Sequence, residues 1–207
     1  MRDGKTVLVA CETSGKVRNA FRGAYKRLGI KAQVYSCDLL PADDGDMDHF
    51  QGDVYDAMAY MPRWDLIVMH PPCTALCVSG NRHYGEGKPK HDERLASIAW
   101  TTQLWLDARE CADAVAMENP IGVLPFQASQ VIQPWQFGHG ETKATCLWLH
   151  NLPLLRPTHI VEGRVDRIHK LPPSSDRWKI RSETYQGIAD AMADQWAQPR
   201  EYQLCLA

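Results

Sequence analysis

Several features that would place a protein quickly are missing from this sequence. No apolar stretch approaches the roughly 20 residues a membrane-spanning helix needs, so bilayer insertion is not expected. Basic residues are not in excess: 23 Lys and Arg face 25 Asp and Glu, for a formal charge of -2. Net charge therefore decides nothing about a nucleic-acid partner. The seven cysteines, at positions 11, 37, 73, 77, 111, 146 and 205, are odd in number, far apart and preceded by no secretory leader. That pattern argues against a disulfide framework and predicts a reduced, cytoplasmic protein. Internal repeats and low-complexity tracts are also lacking.

What is present is a chain of 207 residues with 44% hydrophobic content, enough to bury one core in a single soluble domain. Its charge is unevenly spread. Residues 32 to 62 hold seven aspartates and no Lys or Arg, whereas residues 156 to 181 hold seven Lys or Arg and three acids. An acidic stretch suits a cofactor with hydroxyls and a positive charge, and a basic one suits phosphates; both also read as solvated loops.

Short apolar runs alternate with helical patterns. Strands are predicted at 6–10, 32–37, 66–69, 115–117 and 144–149. Helices are predicted from about Val17 to Leu28, from Val54 to about Met61, from Glu93 to about Ala112 and from Ser182 to Trp196. The third carries Leu95, Ile98, Thr102, Trp105 and Leu106 along one face, and the last carries Ile188, Met192 and Trp196. Residues 39–48 and 74–91 read as loops, the second mobile, and 152–176 has the least defined pattern. The alternation predicts an α/β fold, a mostly parallel sheet with helices on both faces. Ligands of such sheets bind beyond the carboxyl ends of the strands, where Ser14, Asp38, Cys73 and Glu118 all fall.

Two of these residues carry chemistry together. The run Asp65-Leu66-Ile67-Val68-Met69-His70 ends in Pro71-Pro72-Cys73, and 45 residues beyond that cysteine a second apolar run delivers Glu118-Asn119-Pro120. Carbon 5 of cytosine is a poor nucleophile until a thiolate adds to carbon 6 while an acid protonates ring nitrogen 3. Cys73 and Glu118 match those two roles. An electropositive, partly exposed position would favour the thiolate, and a closed, dry pocket would raise the carboxyl pKa. His70, Cys73, Cys77 and His83 fit no common zinc spacing, and Asp43, Asp44, Asp46 and Asp48 lack the glutamate of a calcium loop, so no metal is expected.

With these motifs the chain resembles the cytosine-carbon-5 DNA methyltransferases, in an abbreviated form like those of bacteriophages. Pro71-Pro72-Cys73 is similar to the family's nucleophile motif and Glu118-Asn119-Pro120 to its Glu-Asn-Val motif. Cys11-Glu12-Thr13-Ser14-Gly15 resembles the cofactor loop, and Gly187 to Ala193 the closing helix. The resemblance implies a Rossmann-like S-adenosylmethionine-dependent fold, methylation of a flipped-out cytosine in DNA, and a place in the host cytoplasm if phage-encoded. It further implies that Asp38 binds the ribose hydroxyls and Asp53 meets the adenine amino group, with Leu39, Val54 and Pro71 lining the same cofactor site. Lys143 stands for the basic motif as a third catalytic residue. Arg82, His83, Lys88 and Lys90 would clamp DNA, with Arg177 and Lys179 in a reduced recognition segment at 152–181; residues 182–207 form the closing helix and tail.

The chain departs from the family in having one glycine in the cofactor loop, Lys143 where paired arginines are common, and only about thirty residues for target recognition. Short or relaxed specificity, or a protein partner or self-association, is therefore expected. Three alternatives stay open: an exocyclic-amino methyltransferase using His70-Pro71-Pro72-Cys73, modification of a free cytosine nucleotide, and a catalytically silent DNA- or cofactor-binding protein.

Overall fold

The unbroken apolar run at the start of the chain forms the centre of the sheet, because a strand flanked by parallel neighbours and covered on both faces has no polar side. The computed structural model describes residues 4–175 and 177–198. It places β1 (Lys5–Ala10) between β2 (Ala32–Asp38) and β4 (Leu66–Met69). Outside these lie β3 (His49–Gln51) and β5 (Val115–Pro120), then β7 (Thr145–His150) and β6 (Gln130–Ile132), giving the order β3-β2-β1-β4-β5-β7-β6. All pairings from β3 to β5 are parallel; β7 runs antiparallel to both its neighbours. The three-residue strands β3 and β6 fall outside the predicted set.

Alternation along the strands divides the core in two. Val7, Val9, Val68 and Ala116 pack with α1 (Lys16–Arg27) and α7 (Gln186–Trp196). Leu8, Ala10, Ile67, Met69, Val115 and Met117 pack on the opposite face with α2 (Val54–Ala59) and α4 (His91–Cys111). Helices thus cover both faces of a mostly parallel sheet. Among the described residues no helix is long and apolar enough to cross a membrane.

Three expectations need correction. Helix α4 buries Arg94, Thr101, Leu104, Trp105 and Ala108, whereas Leu95 and Leu106 of the predicted face are about half exposed. Apolar residues surround this helix, so several stripes satisfy the 3.6-residue period. The loop at 74–91 contains a 3₁₀ turn at Val78–Gly80 and the short helix α3 (Asn81–Tyr84). Arg94 anchors it, its guanidinium donating to the carbonyls of Ala75 (2.7 Å) and Cys77 (3.2 Å) and to Asn81 Oδ1 (2.8 Å). The terminal helix α7 begins only at Gln186, and two short helices precede it, α5 (Arg167–Lys170) and α6 (Arg177–Ser182). Tyr185 breaks the run in extended conformation, its ring against His139 and its hydroxyl donating to Glu141 at 2.8 Å.

The acidic stretch is tied down by the protein's own cations. Arg18, fully buried, donates to Ser36 Oγ at 2.6 Å and pairs with Asp44. Arg22 bridges Asp46 and Asp48 and donates to the Val34 carbonyl at 2.9 Å. The Arg22 hydrogen bond holds the Asp46 carboxyl down at about 2, from an ordinary 3.8. A depressed carboxylate stabilises the fold above its unfolded value and loses that contribution as pH falls through its folded value. The melting temperature is therefore expected to fall between about pH 4 and about pH 2. Arg22→Met should flatten that fall in a calorimetric pH series; an unchanged series would contradict the assignment.

Candidate functional site

Chain order reverses at β1: the path leaves for β2 and β3 on one side and returns for β4 and β5 on the other. The carboxyl ends of β1 and β4 therefore border the crevice where ligands of open α/β sheets bind. His70 N–H donates to the Ala10 carbonyl at 2.9 Å, keeping these ends side by side.

On the β1 side, the turn into α1 needs two residues with positive φ, Cys11 at 60° and Gly15 at 68°. At this φ any side chain at position 15 is strained, and a Cβ there would also press on Arg18 Nη2 (2.6 Å) and Asp44 Oδ2 (2.7 Å). Glu12, expected at the cofactor, turns inward and is nearly buried; its carboxylate accepts the N–H groups of Val17 (2.7 Å) and Arg18 (3.3 Å) and the Ser14 hydroxyl. It occupies the helix N-terminus that holds pyrophosphate in dinucleotide-binding folds. Thr13 is held by Asp43, whose N–H donates to its carbonyl at 2.9 Å. Ser14 also borders a 280 Å³ cleft between α1 and α7 that shares no other cofactor candidate.

The end of β2 joins the same corner, since the charges of Asp38 and Asp53 reach the Cys11 thiol. Burial first, then Cys37 and these two carboxylates, push that thiol upward. Asp38 Oδ1 accepts the Leu40 N–H at 2.9 Å, and Leu39 is 73% exposed with its apolar surface unused. Asp53 caps α2 through Tyr55 N–H at 2.8 Å. Val54, expected at the cofactor, packs in the core instead, because it is the first inward residue of α2.

On the β4 side, the parallel register pairs Ile67 with Val115, Val68 with Ala116 and Met69 with Met117. One step further it sets His70 beside Glu118 and Pro71 beside Asn119. His70 Nδ1 lies 3.0 Å from Glu118 Oε2, and Asn119 Nδ2 donates to the buried Pro71 carbonyl at 2.9 Å. Burial pushes the Glu118 carboxyl up, but the His70 hydrogen bond and the Lys143 charge outweigh it and hold the group below its ordinary 4.5. Lys143 reaches in from the segment before β7, with Nζ donating to the Glu183 carbonyl at 3.2 Å. Cys73 stands in the same electrostatic neighbourhood: burial, Glu118 and Cys77 raise its thiol to about 11 against the pull of Lys143.

The structure thus brings Cys73, Glu118 and Lys143 together, and it reverses both protonation states expected from the motifs. Without a ligand the thiol keeps its proton and the carboxyl has lost its own. Burial decides the first, and the His70 hydrogen bond and the Lys143 charge decide the second; none of these was visible along the chain.

The candidate clamp residues Arg82, His83, Lys88 and Lys90 are all exposed on the segment that follows Cys73. Arg82 Nε donates to His83 Nε2 at 2.8 Å, and Lys90 pairs with Glu93. Lys179 is bonded to Asp43 at 2.7 Å, and Arg177 Nε is buried with no partner among the described residues. Beside them Trp178 is 58% exposed. Cys205 and the tail from 199 lie outside the described residues.

Sequence reasoning passed over His70 as a neighbour of Glu118, and Arg94 as an anchor. A polar residue placed at the end of an apolar strand, and an arginine opening an amphipathic helix, were the available signals. Compared with models of known protein families and with curated proteins, the chain matches none.

Alkylation of Cys73, followed peptide by peptide in a mass spectrometer, should be slow at neutral pH. It should rise about tenfold per pH unit until about 11. Lys143→Gln should push that plateau higher; fast alkylation at neutral pH would refute the description. Gly15→Ala should cost about 1–2 kcal/mol in urea unfolding, the penalty of the left-handed backbone.

Proposed function

We propose that this protein transfers a methyl group from S-adenosylmethionine to carbon 5 of cytosine in DNA, on a Rossmann-like methyltransferase fold. The observation that carries the reading is the meeting of a thiol (Cys73), a carboxylate (Glu118) and a cation (Lys143) at two adjacent strand ends, beside the crevice. The β1 corner fits the cofactor by its donor set. Asp38 offers a carboxylate to ribose hydroxyls, and Leu39 offers bare apolar surface to the cofactor. Glu12 at the helix N-terminus repels a pyrophosphate, which favours a cofactor without phosphates over a dinucleotide.

The resting protonation states contain the proton that the addition requires. As sulfur bonds to carbon 6, the S–H bond breaks and the displaced π electrons move toward carbon 5. The thiol proton passes by way of Glu118 to nitrogen 3. Lys143 steadies the carboxylate throughout. S-adenosylmethionine, when bound, supplies the electrophilic methyl group. Water takes the carbon 5 proton, the C5–H electron pair re-forms the ring double bond and expels Cys73, and the nitrogen 3 proton returns through Glu118 to sulfur. Exposed Arg82, His83, Lys88 and Lys90 offer phosphate contacts next to the nucleophile, and recover part of the few kcal/mol that base flipping costs.

Nucleoside mass spectrometry after incubation with DNA and S-adenosylmethionine is expected to show 5-methyldeoxycytidine. Cys73→Ser should abolish it, and Glu118→Gln should lower turnover by about 10²–10⁴-fold. A Cys73→Ser variant that still methylates, on the exocyclic amine, would replace the carbon 5 mechanism. Product from deoxycytidine nucleotides and none from DNA would reassign the substrate. No product and no covalent adduct with 5-fluorocytosine DNA would leave a binding protein.

A further inference from the structure

We propose that His70 is a positioning residue for Glu118, fixing which carboxylate oxygen faces the base; this rests on the methyltransferase reading above. The register of β4 and β5 delivers the imidazole to the carboxylate, and both side chains are nearly enclosed, at 9% and 12% exposure. Donation from Nδ1 to Oε2 at 3.0 Å requires the proton on Nδ1 while Glu118 is ionised. With Oε2 engaged, Oε1 is the oxygen that relays the proton to nitrogen 3. The second ring nitrogen, Nε2, is buried with no partner among the described residues. A ring held at one nitrogen, in a site that leaves the other unsatisfied, is there for the bond it makes.

The arrangement answers the reduced basic motif. Lys143 approaches Glu118 from the segment before β7, and its ammonium is shared with the Glu183 carbonyl and the Tyr185 ring, 5.8 Å away. His70 supplies a second donor from the other side, off β4. The other titratable groups facing the pair are Cys73 after β4 and Cys146 on β7, whose thiols both feel the Glu118 charge. Neither can donate as strongly as an imidazole N–H. Because Asn119 clamps Pro71 independently, losing the His70 bond would loosen the carboxylate, leaving Lys143 and the Thr145 hydroxyl acting on it, without releasing the strand ends.

Two variants and one wild-type measurement test this. His70→Phe keeps ring volume and removes the donor; His70→Asn places an amide N–H near the Nδ1 position. The Glu118 titration midpoint, followed by carboxyl carbon NMR in selectively labelled protein, should move up in His70→Phe and stay close to wild type in His70→Asn. Turnover should fall about 10- to 100-fold in His70→Phe, within the range of general-acid contributions. It should recover largely in His70→Asn, with KM for DNA unchanged. Nitrogen NMR of the wild-type imidazole should show Nδ1 protonated, and this readout stands even if His70→Phe fails to fold. An unprotonated Nδ1, an unmoved midpoint in His70→Phe, or an equal loss in both variants would overturn the role of His70. If wild-type protein traps no 5-fluorocytosine adduct while the midpoint still moves, the methyltransferase reading falls instead, and the catalytic part of this inference with it.

Discussion

Between β4 and β5 the backbone pairing runs in parallel and in register, and nearly everything at the site follows from it. Because Met69 sits opposite Met117, the next residues meet as pairs, and each pair is then stitched by a side chain: His70 to Glu118, Pro71 to Asn119. A one-residue slip would turn each side chain to the other face and separate the carboxylate from its donor. The register is held by apolar residues with no measurable exposure, among them Ile67, Val68, Met69, Val115 and Met117. Packing of ordinary core residues thus determines the polar geometry.

Charge is organised around the same crevice by neutralisation within the protein. Glu12 fills the N-terminus of α1, Arg18 and Arg22 gather the aspartates, and Lys179 takes Asp43. Glu183 pairs with Lys16 while its carbonyl receives Lys143, so the segment before α7 bridges both sides of the crevice. A chain whose formal charge is nearly balanced overall is, at close range, a set of matched pairs. The carboxylates of Asp38 and Asp53 meet no such cation in the described contacts, and both act on the Cys11 thiol.

How much of this was legible along the chain depends on how far apart the deciding partners are. Strand β4 is read at its observed bounds because a buried parallel strand is a continuous apolar run, and Cys73 and Glu118 stand out because both end such runs. The inward face of α4 is not legible, since Leu95, Leu106 and Trp100 compete with Leu104 and Trp105 for the same period. Arg94 is buried for its hydrogen bonds to three oxygens, a reason that hydropathy cannot express. The strands β3 and β6, three residues each, give no pattern long enough to see. The low carboxyl and high thiol pKa at the site arise from burial and from groups up to seventy positions away in the chain, Lys143 acting on Cys73.

The two stitches differ in kind. Asn119 reaches a backbone carbonyl, which every residue type at position 71 would present, whereas His70 reaches a side chain and is specific to one acid. The first makes the junction tolerant of drift in sequence; the second ties two positions together. Exchange at position 118 would leave an imidazole stranded in a dry interior, so the two sites are constrained to change together. Their joint history in related chains would therefore record whether this acid has kept one task.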